Sequence, residues 1–215
     1  PLSAVNNYIR GCLRRLEASG EGTSDVAQAL ERAAAQAQRA GEIVRRVRDF
    51  ARKDPSRRVE VDLNEAIRDA LTFVELELQE NGIRLSLELE QRLPRPRVDR
   101  MQVEQVLVNL LRNACDALRD APPDRRVIQI RSTPVEDTGV EIQIRDRGAG
   151  IAPAAAQRLF EPLFTTKADG TGIGLSISRS IVHAHGGQLS LDADPEGGTV
   201  ARLVITASNE ADHDA

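Results

Sequence analysis

A long run of regularly spaced small and apolar residues, which stops before Asp54, divides this chain into two differently patterned parts. The run advances in alternating steps of four and three. Its members are Val26, Leu30, Ala33, Ala37, Ala40, Val44, Val47 and Ala51. Such a heptad seam predicts a long helix with one narrow apolar edge. A shorter run from Leu2 to Leu16 has the same spacing and predicts a partner helix in a hairpin over residues 1–54.

This hairpin has a seam to bury and charged flanks on either side of it. Pairing with a second copy would bury the seam in a dimeric four-helix bundle, so residues 1–54 predict a homodimer. The alternative is a hairpin that packs on the remainder of its own chain.

After the linker Asp54-Pro55-Ser56 the pattern becomes mixed. Alternating apolar residues predict a short strand near Val59 and longer strands over 83–89, 128–130, 140–144, 188–192 and 199–206. Helices are predicted from Asp62 to Asn81, from Asp99 to Leu118, and up to about His185. Because the strands cluster rather than alternate with helices, residues 55–208 predict an α+β sandwich with a mostly antiparallel sheet. Residues 209–215 are predicted to form a disordered tail.

Composition excludes several classes of protein. The chain carries a formal net charge of −4, one Tyr and no Trp, which disfavours nucleic-acid binding. It has no apolar run of membrane-spanning length, so this segment is expected to make no membrane contact. Cys12 and Cys115 lack metal-like spacing and indicate a reducing compartment, hence a cytoplasmic segment.

The helix beginning at Asp99 carries a polar stripe on an otherwise apolar surface. Asn109, Asn113 and Asp116 are spaced by four and three and therefore share one face. An asparagine oxygen suits a Mg²⁺ ion that also holds phosphates. An exposed face of an amphipathic helix would have the same pattern.

Two glycine-rich segments follow the stripe. Asp146-Arg147-Gly148-Ala149-Gly150 comes at the end of a predicted strand, where a carboxylate can accept from an exocyclic amine. Gly170-Thr171-Gly172-Ile173-Gly174 opens the last helix, where backbone N–H groups bind phosphate. Neither a P-loop nor a Rossmann fingerprint is present. Between them, residues 151–171 are irregular and are predicted to form a lid. Phe160 and Phe164 are predicted to anchor this lid.

In order and spacing these segments resemble the four ATP-binding boxes of the histidine kinases. Pro1-Leu2-Ser3-Ala4-Val5 is similar to the end of that family's phosphoacceptor box, and residues 40–50 and 174–182 are similar to the FixL-type branch. The resemblance implies a Bergerat-type ATP-binding domain, as in gyrase and Hsp90, after a dimerising hairpin. It also implies transfer of a γ-phosphoryl group from ATP to a histidine and then to an aspartate of a response regulator.

Carried over by position, the resemblance implies a role for each residue. Asn113 would ligate Mg²⁺, supported by Asn109, and Asp146 would bind the adenine amine with help from Thr199. The full ATP-binding set it implies is Asn109, Arg112, Asn113, Asp116, Asp146, Gly148, Gly150, Ile151, Phe160, Phe164, Lys167, Gly170, Gly172, Gly174, Leu175 and Thr199.

The phosphoacceptor itself is expected five residues before Pro1, in a longer protein with a sensor domain upstream. His183, His185 and His213 are not expected to replace it. The segment should therefore bind ATP and dimerise without phosphorylating itself.

Two other classes of function have the same motifs. A Bergerat-fold ATPase needs a glutamate base four residues before the metal-binding asparagine, and Asn109 cannot take a proton. A serine-kinase anti-sigma factor would lack the heptad hairpin. The non-enzymatic alternative is a dimeric scaffold with a degenerate nucleotide site.

Overall fold

A computed structural model of the chain describes residues 58–135, 139–167 and 170–206, together with five isolated helical positions, Ile9, Cys12, Leu30, Ala33 and Ala34. The chain divides into two compact units, Pro1–Lys53 and Asp54–Ala215, and the second unit is the one described below. Apart from those five positions, the predicted hairpin and its dimerisation lie outside the described residues, as does the tail over 209–215.

The second unit opens with a short strand and two helices. Strand β1 is Val59–Glu60, and it is followed by α1 (Leu63–Thr72) and α2 (Glu75–Glu80). Asp62 caps α1 by accepting from the N–H groups of Asn64 and Glu65, as an N-cap aspartate does. The predicted single helix to Asn81 is wrong, because it breaks at Phe73 and Val74 between α1 and α2.

The remaining elements complete a sheet with helices against it. They are β2 (Arg84–Leu89), β3 (Arg97–Val98), α3 (Arg100–Leu118), a 3₁₀ turn (Pro123–Arg125), β4 (Val127–Val135), β5 (Gly139–Asp146), α4 (Pro153–Ala156), α5 (Gly174–Ala184), β6 (Gln188–Ala193) and β7 (Thr199–Thr206). These bounds confirm the order of the predicted strands and of the helices that begin after Asp99 and end near His185. Strand β3, the 3₁₀ turn and α4 were not predicted.

Five strands form the main sheet in the order β2-β4-β5-β7-β6, and β1 pairs with β3 separately. The pairs β4–β5, β5–β7 and β6–β7 are antiparallel, whereas β2 and β4 are parallel. The sheet is thus mixed, although antiparallel pairing dominates as predicted. A parallel edge pair requires a crossover, and the chain between β2 and β4 supplies it with α3.

Alternating residues of the central strands build the core. Ile142 of β5 lies opposite Leu203 of β7, and both are almost fully buried. Helix α3 packs on this face and contributes a row of buried side chains: Val103, Val106, Leu107, Leu110, Leu111, Ala114 and Leu118. Because α3 is held along its apolar side, its polar stripe is fixed in place beside the ends of β5 and α5.

The two cysteines form no disulfide bond with each other. Cys12 and Cys115 are both free thiols. Among the described residues, no helix combines the length and hydropathy that a membrane crossing would need.

Candidate nucleotide-binding site

Asp146 is the last residue of β5 and is only 5% exposed. It lies opposite Thr199, the first residue of β7, so strand pairing joins two of the predicted site residues. Its Oδ1 accepts from the Gly148 N–H at 2.8 Å. Burial raises the pKa of Asp146, and hydrogen bonds from Gly148 and Thr199 partly oppose that rise. Asp146 is therefore a buried acceptor at a strand end.

The loop after Asp146 lies directly against α3. The Ala149 N–H donates to the Ala117 carbonyl at 3.2 Å. A Cβ added at Gly148 would lie 2.7 Å from the carbonyl carbon of Ala117, so only glycine fits this approach. This packing holds the loop that follows Asp146 against α3 at Ala117, the residue after the stripe residue Asp116.

A second turn supports the end of β5 from the other side. In the hairpin between β6 and β7, Gly198 has φ +109°, and a Cβ there would lie 2.8 Å from the Asp146 carbonyl carbon. Arg145 grips this hairpin through Asp194, whose side chain is fully buried; one of the two contacts joins Arg145 Nη2 to Asp194 Oδ1 at 2.6 Å. That guanidinium lowers the pKa of Asp194 to about 2.

The Arg145–Asp194 pair was missed by sequence reasoning. Its only sequence signal is the turn composition of residues 194–198, which does not reveal the partner on β5. A bidentate arginine–carboxylate pair is rigid. It therefore fixes the hairpin that packs under Asp146.

The polar stripe of α3 makes three different contacts. Asn109 Nδ2 donates to Ser178 Oγ of α5 at 2.9 Å, so this amide joins two helices. Asn113 Oδ1 accepts from Lys167 Nζ at 2.9 Å, and Asp116 Oδ2 pairs with the same ammonium at 2.8 Å. Two of the stripe residues therefore meet the lid, while the third holds the start of α5.

Asn113 is unusual in its amide group. Its Nδ2 is buried and has no hydrogen-bond partner, the one such side-chain atom among the described residues. Leaving a buried donor unpaired costs about 1–3 kcal/mol. The Asn113 oxygen, in contrast, faces the Lys167 ammonium, and an amide oxygen directed at a cation is what a Mg²⁺ ligand provides.

The beginning of α5 lacks a side-chain cap. Ile173 is the N-cap and provides no side-chain hydrogen bond to the first turn. Gly174 approaches Asn109 so closely that an added Cβ would lie 3.1 Å from Asn109 Cγ. Leu175 lies in the same first turn. Uncapped N–H groups at a helix start bind phosphate oxygens.

The lid is tied to this helix start. Leu163 N–H donates to the Gly172 carbonyl at 3.0 Å, and Gly172 has φ +64°. Arg179 of α5 lies over the Phe160 ring, with its Cζ 5.1 Å from the ring centroid. Arg158 lies over Phe164 at 4.3 Å. Both predicted anchor rings are therefore covered by arginines that sequence reasoning did not single out.

Other predicted residues take less direct positions. Arg112 donates to Glu77 of α2 at 3.0 Å, so a phosphate contact remains a prediction for it. Gly150 has φ +73° and approaches Gly198, Ile151 follows it in the loop, and the Gly170 N–H donates to the Lys167 carbonyl at 3.2 Å.

His185 is excluded as a phosphoacceptor in this fold. It is buried, its Nδ1 lies 2.8 Å from the Ile181 carbonyl oxygen, and its Nε2 accepts from the Asp99 N–H at 3.1 Å. Burial also lowers the pKa of His185. Both nitrogens are thus occupied, Nδ1 within α5 and Nε2 in joining α5 to the start of α3.

A family model of the histidine kinase-, DNA gyrase B-, and HSP90-like ATPases matches residues 98–209. This span covers β3 through β7 and contains every feature of the site described above. The chain belongs to this family of ATP-binding domains.

Comparison with known proteins narrows the class to sensor kinases. The chain is 41% identical to the sensor protein FixL of Bradyrhizobium diazoefficiens over 212 residues, which are 98% of this chain and 41% of FixL. The catalytic domain of histidine kinase ThkA matches with 32% identity and a TM-score of 0.62, covering 70% of this chain and 95% of that domain. ThkA in complex with the response regulator protein TrrA matches at 24% identity and a TM-score of 0.70, over 98% of this chain and 60% of that one.

These matches confirm the prediction of a sensor histidine kinase ATP-binding domain. The chain spans about two fifths of the length of FixL. The activity and partners of the whole protein are therefore treated as proposals.

Proposed function

We propose that this chain is the kinase core of a two-component sensor. It binds Mg²⁺-ATP at the site between Asp146 and Lys167 and delivers the γ-phosphoryl group to a histidine, from which it passes to an aspartate of a response regulator. The observation that carries the proposal is the buried acceptor Asp146, whose loop packs on the helix that carries Asn113, in a domain of an ATP-binding family. The Asn113 oxygen faces the Lys167 ammonium.

Asp146 would accept from the exocyclic amine of adenine. Its burial supports this role, because a hydrogen bond to a charged group is strong where water is excluded. Thr199 pairs with it in the sheet and would help hold the ring. Gly148 and Gly150 follow it in a loop that packs closely on Ala117 and Gly198, and this packing would fix the backbone beside the base.

The start of α5 would bind the phosphates. Its first turn has no side-chain cap, and N–H groups at such a helix start can bind phosphate oxygens. Lys167 is the nearest cationic side chain of the lid to Asn113 and would contact a phosphate oxygen once the ligand is present.

Asn113 would be the protein's ligand to Mg²⁺. Within the described part of the chain, no group of three or more His, Cys, Asp or Glu could hold a metal by itself. The donor set therefore fits an ion that takes its remaining ligands from phosphates and water. Bound Mg²⁺ would supply neutralisation of the triphosphate charge.

The reaction balances without an added reactant. A nitrogen of the acceptor imidazole forms a bond to the γ-phosphorus, the bond from that phosphorus to the bridging oxygen breaks, and ADP leaves. The imidazole N–H proton passes to solvent. The protein's contribution is positioning and charge neutralisation, as in other phosphoryl transfers.

Hydrolysis is the less favoured alternative. Activation of water requires a general base, and the residue four positions before Asn113 is Asn109, whose amide already donates to Ser178. The side-chain amide of Asn109 does not take up a proton near neutral pH. The site is thus better suited to transfer to a nucleophile than to hydrolysis of ATP.

The proposed partners follow the same reasoning. Residues 1–54 would form a homodimer, a sensor domain would precede them, and a response-regulator receiver domain would take the phosphoryl group. The complex of ThkA with TrrA supports the last of these.

The proposal is tested with γ-labelled ATP and a protein extended N-terminally to include the predicted phosphoacceptor. We expect protein-bound label that is lost in acid and survives base, as phosphohistidine does. Asn113→Ala should abolish this label, and Asp192→Asn, on an exposed carboxylate that pairs with Arg202, should retain it. Free phosphate without protein-bound label would instead favour the ATPase.

A further inference from the structure

The ammonium group of Lys167 lies at the position where the proposed metal would contact Asn113. Lys167 Nζ is 2.9 Å from Asn113 Oδ1 and 2.8 Å from Asp116 Oδ2. It therefore occupies the side-chain oxygen that Asn113 would offer to Mg²⁺. An amine nitrogen and a Mg²⁺ ion cannot both contact that oxygen along the same direction.

The lid backbone aims Lys167 toward α3. Thr165 Oγ1 accepts from the Lys167 N–H at 3.1 Å, and the Gly170 N–H donates to the Lys167 carbonyl at 3.2 Å. A Cβ at Gly170 would lie 3.2 Å from the Cβ of Lys167, so the turn is tight. The Lys167 side chain thus extends from a compact turn to reach Asn113 and Asp116.

Asp116 has a second cationic partner that is not part of the lid. Arg119 Nη2 lies 2.9 Å from Asp116 Oδ1, one helical turn along α3. Asp116 therefore holds Lys167 with one oxygen and Arg119 with the other. This arrangement provides two positive charges at equal distance from one carboxylate, of which only one tethers the lid.

From these contacts we infer that Lys167 is a tethered competitor of the divalent cation. The Lys167–Asp116 pair, which we call the latch, fastens this end of the lid to α3. Asn113 would hold Mg²⁺ only after Lys167 leaves its oxygen, which would release this end of the lid. The inference rests on the proposed nucleotide site. Asp116 acts as a positioning residue, through Lys167.

For the effect of removing the Asp116 carboxylate on cation binding, the latch predicts the opposite of simple electrostatics. Removing a carboxylate near a cation site ordinarily weakens cation binding. If the latch operates, Asp116→Asn instead frees Asn113 from its competitor and lowers the Mg²⁺ concentration needed for half-maximal ADP binding. Because the pair is partly exposed, we expect a change of about two- to fivefold.

The test measures two quantities on the 215-residue chain. One is amide hydrogen exchange of residues 160–167 without added nucleotide. The other is the Mg²⁺ concentration that half-saturates ADP binding in calorimetry. Asp116→Asn and Lys167→Met should each speed the exchange about two- to fivefold and lower the Mg²⁺ requirement by a similar factor.

Arg119→Gln is the matched control, since it removes one positive charge from Asp116 without touching the lid. It should leave the exchange of 160–167 unchanged. The inference is overturned if Asp116→Asn raises the Mg²⁺ requirement, or if Arg119→Gln and Lys167→Met act alike. Should ADP not bind at all, the proposed function fails, and the exchange measurement alone still decides whether the latch exists.

Discussion

The two ends of the candidate site are built differently. The adenine end, defined by Asp146, Gly148 and Thr199, is buried and is fixed by strand pairing and backbone packing. The phosphate end, defined by Asn113, Lys167 and Gly172, is held by a partly exposed ion pair and by lid contacts. On the proposed assignment one end is preformed, and the other would rearrange when a ligand and metal bind.

This difference suits a kinase. A rigid base pocket gives selectivity without an ordering cost, whereas a rearranging phosphate end can link ligand entry to movement of the lid. The adenine end is held by buried contacts of specific geometry. The other end depends on surface interactions, which contribute little individually.

The strongest way to break the adenine end is Asp146→Asn. The substitution places an amide NH₂ among the N–H groups of Gly148 and Thr199 and removes the charged acceptor. We expect ADP affinity in calorimetry to fall about tenfold to a hundredfold. Asp192→Asn, on an exposed β6 carboxylate, is the control and should leave ADP affinity unchanged. Equal affinities for the wild type and Asp146→Asn would remove Asp146 from the site.

Gly148→Ala should sharpen the comparison by disturbing the packing of the adenine end. Its Cβ would meet the backbone of Ala117, so α3 and the loop must separate. We expect a loss of about 1–3 kcal/mol in urea denaturation, together with weaker ADP binding.

The control for this variant is Gly82→Ala. Gly82 has φ +61° and open space around its Cα, so alanine there costs about 1 kcal/mol through backbone strain alone. Its ADP affinity should match the wild type. If both alanine variants weakened ADP binding equally, the packing of Gly148 on Ala117 would not be what forms the pocket.

Arg179→Gln should give the smallest effect, at the phosphate end. It removes the guanidinium that lies over Phe160. An exposed cation–π contact contributes about 0.5–1 kcal/mol. We therefore expect exchange of residues 160–167 to quicken about two- to fivefold. Arg202→Gln, on β7, should leave it unchanged. An unchanged rate in Arg179→Gln would mean that the ring is held by other contacts.

Much of the adenine end could be predicted from sequence because its signals are local. Strand alternation located β5 and β7, and Asp146 and Thr199 fall at facing ends of these strands. The family resemblance then assigned them a ligand. The glycine at 148 was interpreted as access for a base, and the structure adds a second reason, its approach to Ala117.

The phosphate end was less predictable because its contacts join distant segments. Lys167 and Asp116 are 51 residues apart, and no local pattern indicates that they pair. The same holds for Arg145 and Asp194, and for Arg179 above Phe160. The predicted 62–81 helix breaks at Phe73 and Val74, directly after Thr72. All three are weaker helix formers whose effect depends on tertiary packing.

The most direct test of the account is the Mg²⁺ dependence of ADP binding to the 215-residue chain, compared between the wild type and Asn113→Ala. The account predicts that Mg²⁺ raises the ADP affinity of the wild type and has no such effect in Asn113→Ala, while the metal-free affinities of the two proteins agree within about twofold because the adenine end is intact. An enhancement by Mg²⁺ that persists in Asn113→Ala would contradict the assignment of the metal to Asn113, and with it the division of the site into these two ends.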